Sequence, residues 1–336
     1  MTAVRLLRGG SGIAATLLGL LLLTFLIGRV MPLDPVLAVV GPDADRSTYE
    51  QVRRDMGLDQ PLALQFMAYL RALAQGDLGR ALLTGNPVTT DLARVLPATV
   101  ELATLAILIG TVLGVPLGVL AASHHRRWPD HLARIVGLLG HSTPVFWFGM
   151  MGLLVFYAWL GWAGGIGRIG LAFEGTVPTR TGLLLVDALL AGDAAAFQSA
   201  LRHLLLPACV LGLHSMAYLS RMTRAFMLAQ LSQEYITTAR VKGLPEWQVV
   251  WGHAFRNIRV QLLTILALAY GGLLEGAVLV ETVFGWPGFG SYLTGSLLLG
   301  DMNAVMGSVL VVGLLFVALN LGADALYRVF DPRARA

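Results

Sequence analysis

Few residues in this sequence have both the type and the spacing that chemistry requires. A phosphate-cradling loop with Mg²⁺ needs a Lys followed by Ser or Thr. Lys242 is the only lysine and Gly243 follows it, so ATP hydrolysis by that route is excluded. Gly165-x-Gly167-x-x-Gly170 has the spacing of a dinucleotide fingerprint. It follows an apolar helix and lacks strand–helix–strand context, so it reads as a chance match. His124, His125 and His131 sit beside Arg126 and Arg127, which suits a solvated loop near headgroups better than a metal. His203 and His214 have no acidic or Cys neighbour at helical spacing, and neither HExxH nor a nucleophile elbow occurs. The lone cysteine, Cys209, lies in an apolar run and reads as a small buried hydrophobe. No catalytic residue and no metal-ligand set is therefore assigned.

Two acids stand apart. Glu275 and Glu281 lie within and near the end of an apolar stretch, where ionisable residues are functional candidates by default. Six residues apart on a helix, they point to different faces and are not a paired acid–base site. One reading is a proton relay. The other is hydrogen bonding to a neighbouring helix or to cavity water, which is favoured for Glu281.

The elements that position these residues are membrane helices. Apolar residues make up 56% of the chain and charged ones 13%, half the charge of an ordinary soluble domain. Mean hydropathy is +0.70. A spanning helix needs ~20 mostly apolar residues. Six stretches qualify, 12–31, 98–122, 135–160, 204–228, 261–284 and 304–329, so the fold expected is an all-α, polytopic bundle of six transmembrane helices. The fourth is the weakest, with His214, Ser215 and Ser220 inside it and Arg221 and Arg224 at its end. The first has Arg5 and Arg8 before it, but its core is longer than a signal-peptide core and no clean cleavage site follows, so it reads as uncleaved. Arg126, Arg127 and Arg134 surround the loop after the second stretch, a larger Arg cluster follows the fourth, and Arg328, Arg333 and Arg335 follow the sixth. The positive-inside rule then places both termini in the cytoplasm. The 32–97 loop, with a helical pattern through Leu64, Met67 and Leu70, reads as a small helical subdomain on the outer surface.

Segment 231–258 is the most informative. Ser232 is expected to cap a helix with Gln233 and Glu234 in its first turn, ending at Arg240 and Lys242 with Gly243 at C′. Pro245 opens a second helix whose apolar stripe is Trp247, Val250, Trp251, Ala254 and Ile258. Such a helix–turn–helix fits either the groove of a soluble partner or the headgroup layer, and the physics alone leaves both open.

Thr238-Ala239-Arg240-Val241-Lys242-Gly243-Leu244, followed by His253-Ala254-Phe255-Arg256-Asn257, resembles the EAA coupling motif of ABC importer permeases. The dipeptide/oligopeptide/nickel family is the best match. Gly57-Leu58-Asp59-Gln60-Pro61, Gly76-Asp77-Leu78-Gly79 and Leu96-Pro97-Ala98-Thr99 resemble pieces of its outer loop. So do Arg29–Pro35 at the exit of the first stretch and Ser142–Trp147 in the third. Val280-Glu281-Thr282-Val283-Phe284-Gly285-Trp286-Pro287-Gly288-Phe289-Gly290 resembles its signature at the outer end of the fifth, and Asp331-Pro332-Arg333 its C-terminal ending. The resemblance covers nearly the whole chain. Where a Pro usually follows the coupling motif, Gln261 stands, which bears on the entry into the fifth helix.

The resemblance implies a type I ABC importer permease fold in a bacterial inner membrane. It divides the chain into tail and first helix (1–31), a periplasmic helical loop (32–97), a five-helix core (98–329) and a cytoplasmic tail (330–336). It implies a transport subunit rather than an enzyme, probed from outside by a periplasmic solute-binding protein. A second homologous permease and two ABC ATPase subunits complete the assembly; ATP and Mg belong to the ATPases, this chain binds no cofactor, and nothing points to nucleic acid. Thr238, Ala239, Arg240, Lys242, Gly243, Leu244, His253, Arg256 and Asn257 are the expected ATPase-coupling residues. Pathway or gating candidates are Pro144, Glu275, Glu281, Trp286, Pro287 and Gly288, with Trp286 read as an interfacial anchor and Trp286-Pro287-Gly288 as a helix terminator. Peptides are favoured over nickel or another small solute, since no cluster resembling Ni²⁺ ligands occurs. The competing classes are a self-contained ion-coupled transporter using Glu275 and Glu281, and a membrane scaffold without transport activity.

Overall fold

The computed structural model describes residues 2–30, 35–41 and 43–330. The segments 31–34 and 331–336, which carry part of the first-helix exit and the Asp331-Pro332-Arg333 ending, lie outside the described residues. The chain forms α1 (Thr2–Val30), α2 (Pro35–Val40), α3 (Arg46–Asp55), α4 (Leu62–Ala74), α5 (Val88–Ser123) and α6 (Trp128–Ser142). α7 (Val145–Gly152) continues as a π-helical segment, Leu153–Trp159. Then come α8 (Leu184–Ala191), α9 (Ala194–Leu231) and α10 (Glu234–Val241). A second π-helical segment, Gln248–Ala254, runs into α11 (Phe255–Val283), followed by α12 (Phe289–Leu298) and α13 (Met302–Phe330). No strand occurs among the described residues beyond an isolated bridge between Arg80 and Pro87.

Among the described residues, four helices are long and apolar enough to cross a bilayer: Val88–Ser123, Ala194–Leu231, Gln248–Val283 and Met302–Ala323. A fifth crossing is available only as a broken pair, Trp128–Gly140 with Val145–Trp159. The count of six is thus not reproduced among the described residues. The first stretch lies in α1, 29 residues long, whose apolar part among the described residues runs Ala15–Gly28. The third stretch is not one helix because Pro144 forces its predecessor out of helical geometry: Thr143 is extended, at φ −88 and ψ 130. Pro144 itself caps α7.

By internal packing the chain divides into two compact units. The first takes Met1–Leu96 with Ser291–Ala318. Within it, Phe25 of α1 packs on Phe66 of α4 with ring centroids 5.2 Å apart. Buried Asp301 holds the connection before α5, accepting from the Leu82 N–H at 2.6 Å. The second takes Pro97–Gly290 with Leu319–Ala336. Its axis is α9, which lies against α6, α7, α8 and α11. Gly110, Gly114 and Gly118 place one bare turn after another of α5 against α9. A Cβ on Gly114 would stand 2.7 Å from the Met216 carbonyl oxygen, so only glycine permits this backbone approach.

Candidate functional site

The residues expected to couple gather on α10, the turn after it, and the helix that follows. α10 begins with Gln233 as its extended N-cap and Glu234 in the first turn. Ser232 is not that cap. It ends α9, where its hydroxyl donates to the Ala229 carbonyl at 3.1 Å. The far end closes as a Schellman motif: Gly243 N–H bonds the Arg240 carbonyl (2.9 Å) and Leu244 N–H the Ala239 carbonyl (3.3 Å). Gly243 sits at φ +78, in the left-handed region its type favours. Across the turn, the Arg240 guanidinium grips Glu246 with bonds of 2.6 and 3.2 Å.

The second helix differs from its sequence pattern in two ways. Pro245 stands just before the first turn, its carbonyl accepting from Gln248 and Val249, and the helix then runs unbroken through Gln261 as a single Gln248–Val283 rod. Its first two turns are π-helical, so i→i+5 bonding shifts the face. Val249, Val250, Ala254 and Ile258 turn inward, where they pack with Val119, Ala122, Met227, Ile236 and Ala239. Trp247 and Trp251, expected on the same stripe, are 66% and 44% exposed. The pair is therefore anchored by aliphatic side chains, while its two tryptophans and Val241, 83% exposed, are left outside that core.

Of the expected coupling residues, Thr238, Arg240, Lys242, Gly243, His253, Arg256 and Asn257 are exposed, Leu244 is half-buried, and Ala239 is buried. Ala239 is thus a seat for α10 rather than part of its outer face. Asn257 is tied to α10 by a bond from its amide to the Tyr235 hydroxyl at 2.9 Å, and Tyr235 donates onward to Gln230. Tyr235 was not singled out in the sequence; its signal is its position one turn ahead of the coupling motif.

The Arg240–Glu246 grip gives a pH expectation. The guanidinium holds the Glu246 carboxyl below the usual carboxylate range, against a smaller opposing push from burial. A lowered folded-state value means the stabilisation is complete above the ordinary carboxylate pKa and is lost as pH falls through the lowered one. The pair is solvent-exposed, so it contributes about 0.2–1 kcal/mol. Hydrogen exchange corrected for intrinsic rates should show the 242–248 turn opening more readily at pH 3 than at pH 7. Glu246→Gln should remove that difference.

At the other end of α11 the signature segment folds back on the helix. A second Schellman motif stops α11, with Gly285 at φ +55 and Trp286 N–H bonding the Glu281 carbonyl at 2.8 Å. The terminator is therefore Gly285, one residue before the expected Trp286-Pro287-Gly288. Trp286 is not an interfacial anchor: it is 1% exposed, and its indole N–H donates to the Ala98 carbonyl at 3.1 Å. Glu281 is fully buried and accepts from the Thr99 hydroxyl at 2.5 Å. Thr99 in turn accepts from Phe289 N–H at 2.7 Å. Gly288 and Gly290 lie so close to the Glu281 carboxylate that a Cβ on either would crowd it. Pro287 is exposed. So Leu96-Pro97-Ala98-Thr99 and the 280–290 signature, separate in sequence, form one hydrogen-bonded junction at Ala98 and Thr99.

The loop between α7 and α9 is pinned to this junction. Arg168 pairs with Glu101 at 2.5 Å, donates to the Gly182 carbonyl, and lies over the Trp286 ring, 5.5 Å from its centroid. Gly167 N–H bonds the Phe284 carbonyl at 2.9 Å, which gives the 165–170 glycines a structural use. Neither Glu101 nor Arg168 had been singled out, because nothing local marks two residues 67 positions apart as a pair. Glu275 lies apart from all of this. It is exposed on the α11 face that also carries Leu268, Gly272, Gly276 and Leu279, and it has no hydrogen-bond or ion-pair partner among the described residues.

Residues 114–336 match the family described as binding-protein-dependent transport system inner membrane component. Residues 3–103 match the N-terminal region of membrane components of such systems. A probable D,D-dipeptide transport system permease protein of Escherichia coli (strain K12) is 43% identical over 323 residues, covering 96% of this chain and 94% of that protein. A di/tripeptide transport system permease protein of Pseudomonas aeruginosa (strain UCBPP-PA14) is 39% identical over 321 residues, 95% of each. The MetNI methionine ABC transporter in an inward-facing conformation superposes with a TM-score of 0.53, covering 71% of this chain and 96% of that one. At 16% identity, that likeness shows the fold alone. These matches, with the helical membrane architecture, establish that the chain belongs to the binding-protein-dependent transport system inner membrane component family.

Proposed function

We propose that this chain is one permease half of an ATP-driven importer for di- or oligopeptides, lining the path together with a second, similar permease. It is a transport subunit rather than an enzyme, as its relatives are. The observation that carries the reading is the α10 pair. Its anchors Ile236, Ala239, Val249 and Val250 are buried, while Val241, Trp247 and Trp251 stand out beside Arg240, Lys242, His253 and Arg256. An apolar knob ringed by cations suits an apolar groove with an acidic rim on an ATPase subunit. One such ATPase would seat here and another on the second permease, each supplying ATP and Mg. In this reading α10 and both termini are cytoplasmic, in the inner membrane of a bacterium, and a binding protein docks on the opposite side. The relatives' named substrates, D,D-dipeptides and di- or tripeptides, support peptides as cargo.

Glu275 separates this importer from an ion-coupled transporter. A carboxylate facing hydrocarbon costs ~2.5–3.5 kcal/mol or more, so its α11 face belongs against the second permease or the aqueous path. In proteoliposomes holding the assembled transporter, peptide uptake should require ATP and persist when the proton gradient is collapsed. Glu275→Gln should leave that ATP requirement intact. Uptake that follows the proton gradient without ATP would overturn the importer reading.

A further inference from the structure

α6 and α9 run antiparallel, and the gap between them is not filled by protein. A cavity of about 330 Å³ opens there, with Arg134, Arg221, Arg224 and Ser220 at one end and Gly137, Leu138 and Ala217 on its walls. The cations are held in place rather than loose. Asp130, fully buried in the first turn of α6, accepts from Arg134 at 2.7 Å and from Arg224 at 2.6 and 3.0 Å. It also accepts from the Arg126 N–H at 2.9 Å, and His125 stands 3.3 Å away. One carboxylate thus orients two of the three guanidinium groups and leaves the cavity with an excess of two positive charges. Arg221 has no hydrogen-bond or ion-pair partner among the described residues.

Polarity changes along the cavity in a consistent direction. On α6, Asp130 and Arg134 come first and Gly137 and Leu138 follow, about 12 Å of helix from Asp130 to Leu138. On α9, running the other way, Arg224 and Arg221 are followed by Ala217, and a Cβ on Gly140 would meet Ala217 at 3.0 Å. The charged end lies on the α10 side, and the apolar end points into the span. Along the same stretch α6 exposes Ile135, Leu138 and Leu139, each more than half, and Trp128 at the charged level is 72% exposed. A charged mouth at headgroup depth leading onto an apolar wall at acyl depth is the profile of one amphiphile.

We propose that this α6–α9 cavity binds an anionic phospholipid. Its phosphate is held by Arg221 and by the Asp130-oriented Arg134 and Arg224, and an acyl chain lies along Gly137, Leu138 and Ala217. Guanidinium forks match phosphate oxygens in pairs, and basic pockets between membrane helices on the cytoplasmic side are suited to anionic headgroups. The position is separate from the α10 docking face and from Glu275.

Native mass spectrometry of the assembled transporter tests this, with phosphatidylglycerol or phosphatidylcholine added in neutral detergent. Retention should favour phosphatidylglycerol several-fold. Arg221→Gln should erase that preference with the melting temperature unchanged, whereas Arg53→Gln, on an exposed helix elsewhere, should keep it. Leu138→Gln should weaken long-chain phosphatidylglycerol more than a short-chain form. Inorganic phosphate at matched concentration should not displace the lipid; displacement would mean a free-phosphate site and overturn the proposal. Equal retention of the two lipids, or a preference that survives Arg221→Gln, would also overturn it. So would a preference seen only after the ATPase is removed, which would assign the cations to a protein partner.

Discussion

Ala239→Arg is expected to abolish peptide uptake and co-purification of the ATPase. Ala239 is 6% exposed and packs with Met227, Ile236, Val249, Val250 and Ala254. A guanidinium there has no room and no counter-charge, and overpacking alone costs about 1–3 kcal/mol before desolvation is added. The easiest relief is for α10 to leave its seat, since it is a helix of only eight residues with two buried side chains, Ile236 and Ala239. Gly243→Arg should act by another route: its φ of +78 costs a non-glycine residue about 1–2 kcal/mol, which opens the Schellman turn. Val241→Asp separates seating from docking. That side chain is 83% exposed, so its change should leave the melting temperature alone while weakening ATPase retention. Pull-down of the ATPase and ATP-driven uptake in proteoliposomes read all three. If Ala239→Arg retained its ATPase and transported at the normal rate, the coupling assignment would be wrong.

The second large effect is expected at Glu281, as a loss of stability rather than a loss of proton transfer. Its carboxylate closes the junction through Thr99 to the Phe289 N–H and sits under Gly288 and Gly290. Glu281→Ala removes an acceptor that buried donors need and leaves a cavity in its place. Together these should cost about 3 kcal/mol or more. The melting temperature and membrane level should fall for Glu281→Ala and fall less for Glu281→Gln, which keeps the shape and one acceptor oxygen. ATPase retention at α10, at the opposite end of α11, should survive in whatever protein remains folded. A proton relay predicts the reverse pattern, with Glu281→Gln normally stable but inactive.

The residues behind these two predictions were legible in the sequence to different degrees. The apolar stretches were visible because hydrophobic length is a local sum, and the glycine at 243 because a helix stop is settled by its own few residues. The α10 pair as a whole was visible for the same reason. Its inner and outer faces were not. Period 3.6 places Trp247, Trp251 and Val250 on one stripe, but burial of Val249 against Val119 and Ile236 is met by π-helical turns that change the period. Likewise Gln261 left open how the fifth helix begins; unlike a Pro it keeps its N–H, and the helix runs through it as one rod from Gln248.

What the sequence alone determined was class and family: a membrane bundle without a phosphate loop, carrying segments that resemble, in order, those of a binding-protein-dependent permease. Tertiary structure decided what each singled-out residue does. Trp286 became a core residue bonded to Ala98 rather than an interfacial anchor, and Glu281 the centre of a junction 182 residues from its partner Thr99. Asp130, which the sequence did not mark, holds Arg134 of its own helix together with Arg224 brought in from α9. The reason is the same each time. A helix and its caps are specified by neighbours in sequence, whereas the worth of a buried polar group depends on partners that only the folded chain brings within hydrogen-bond reach.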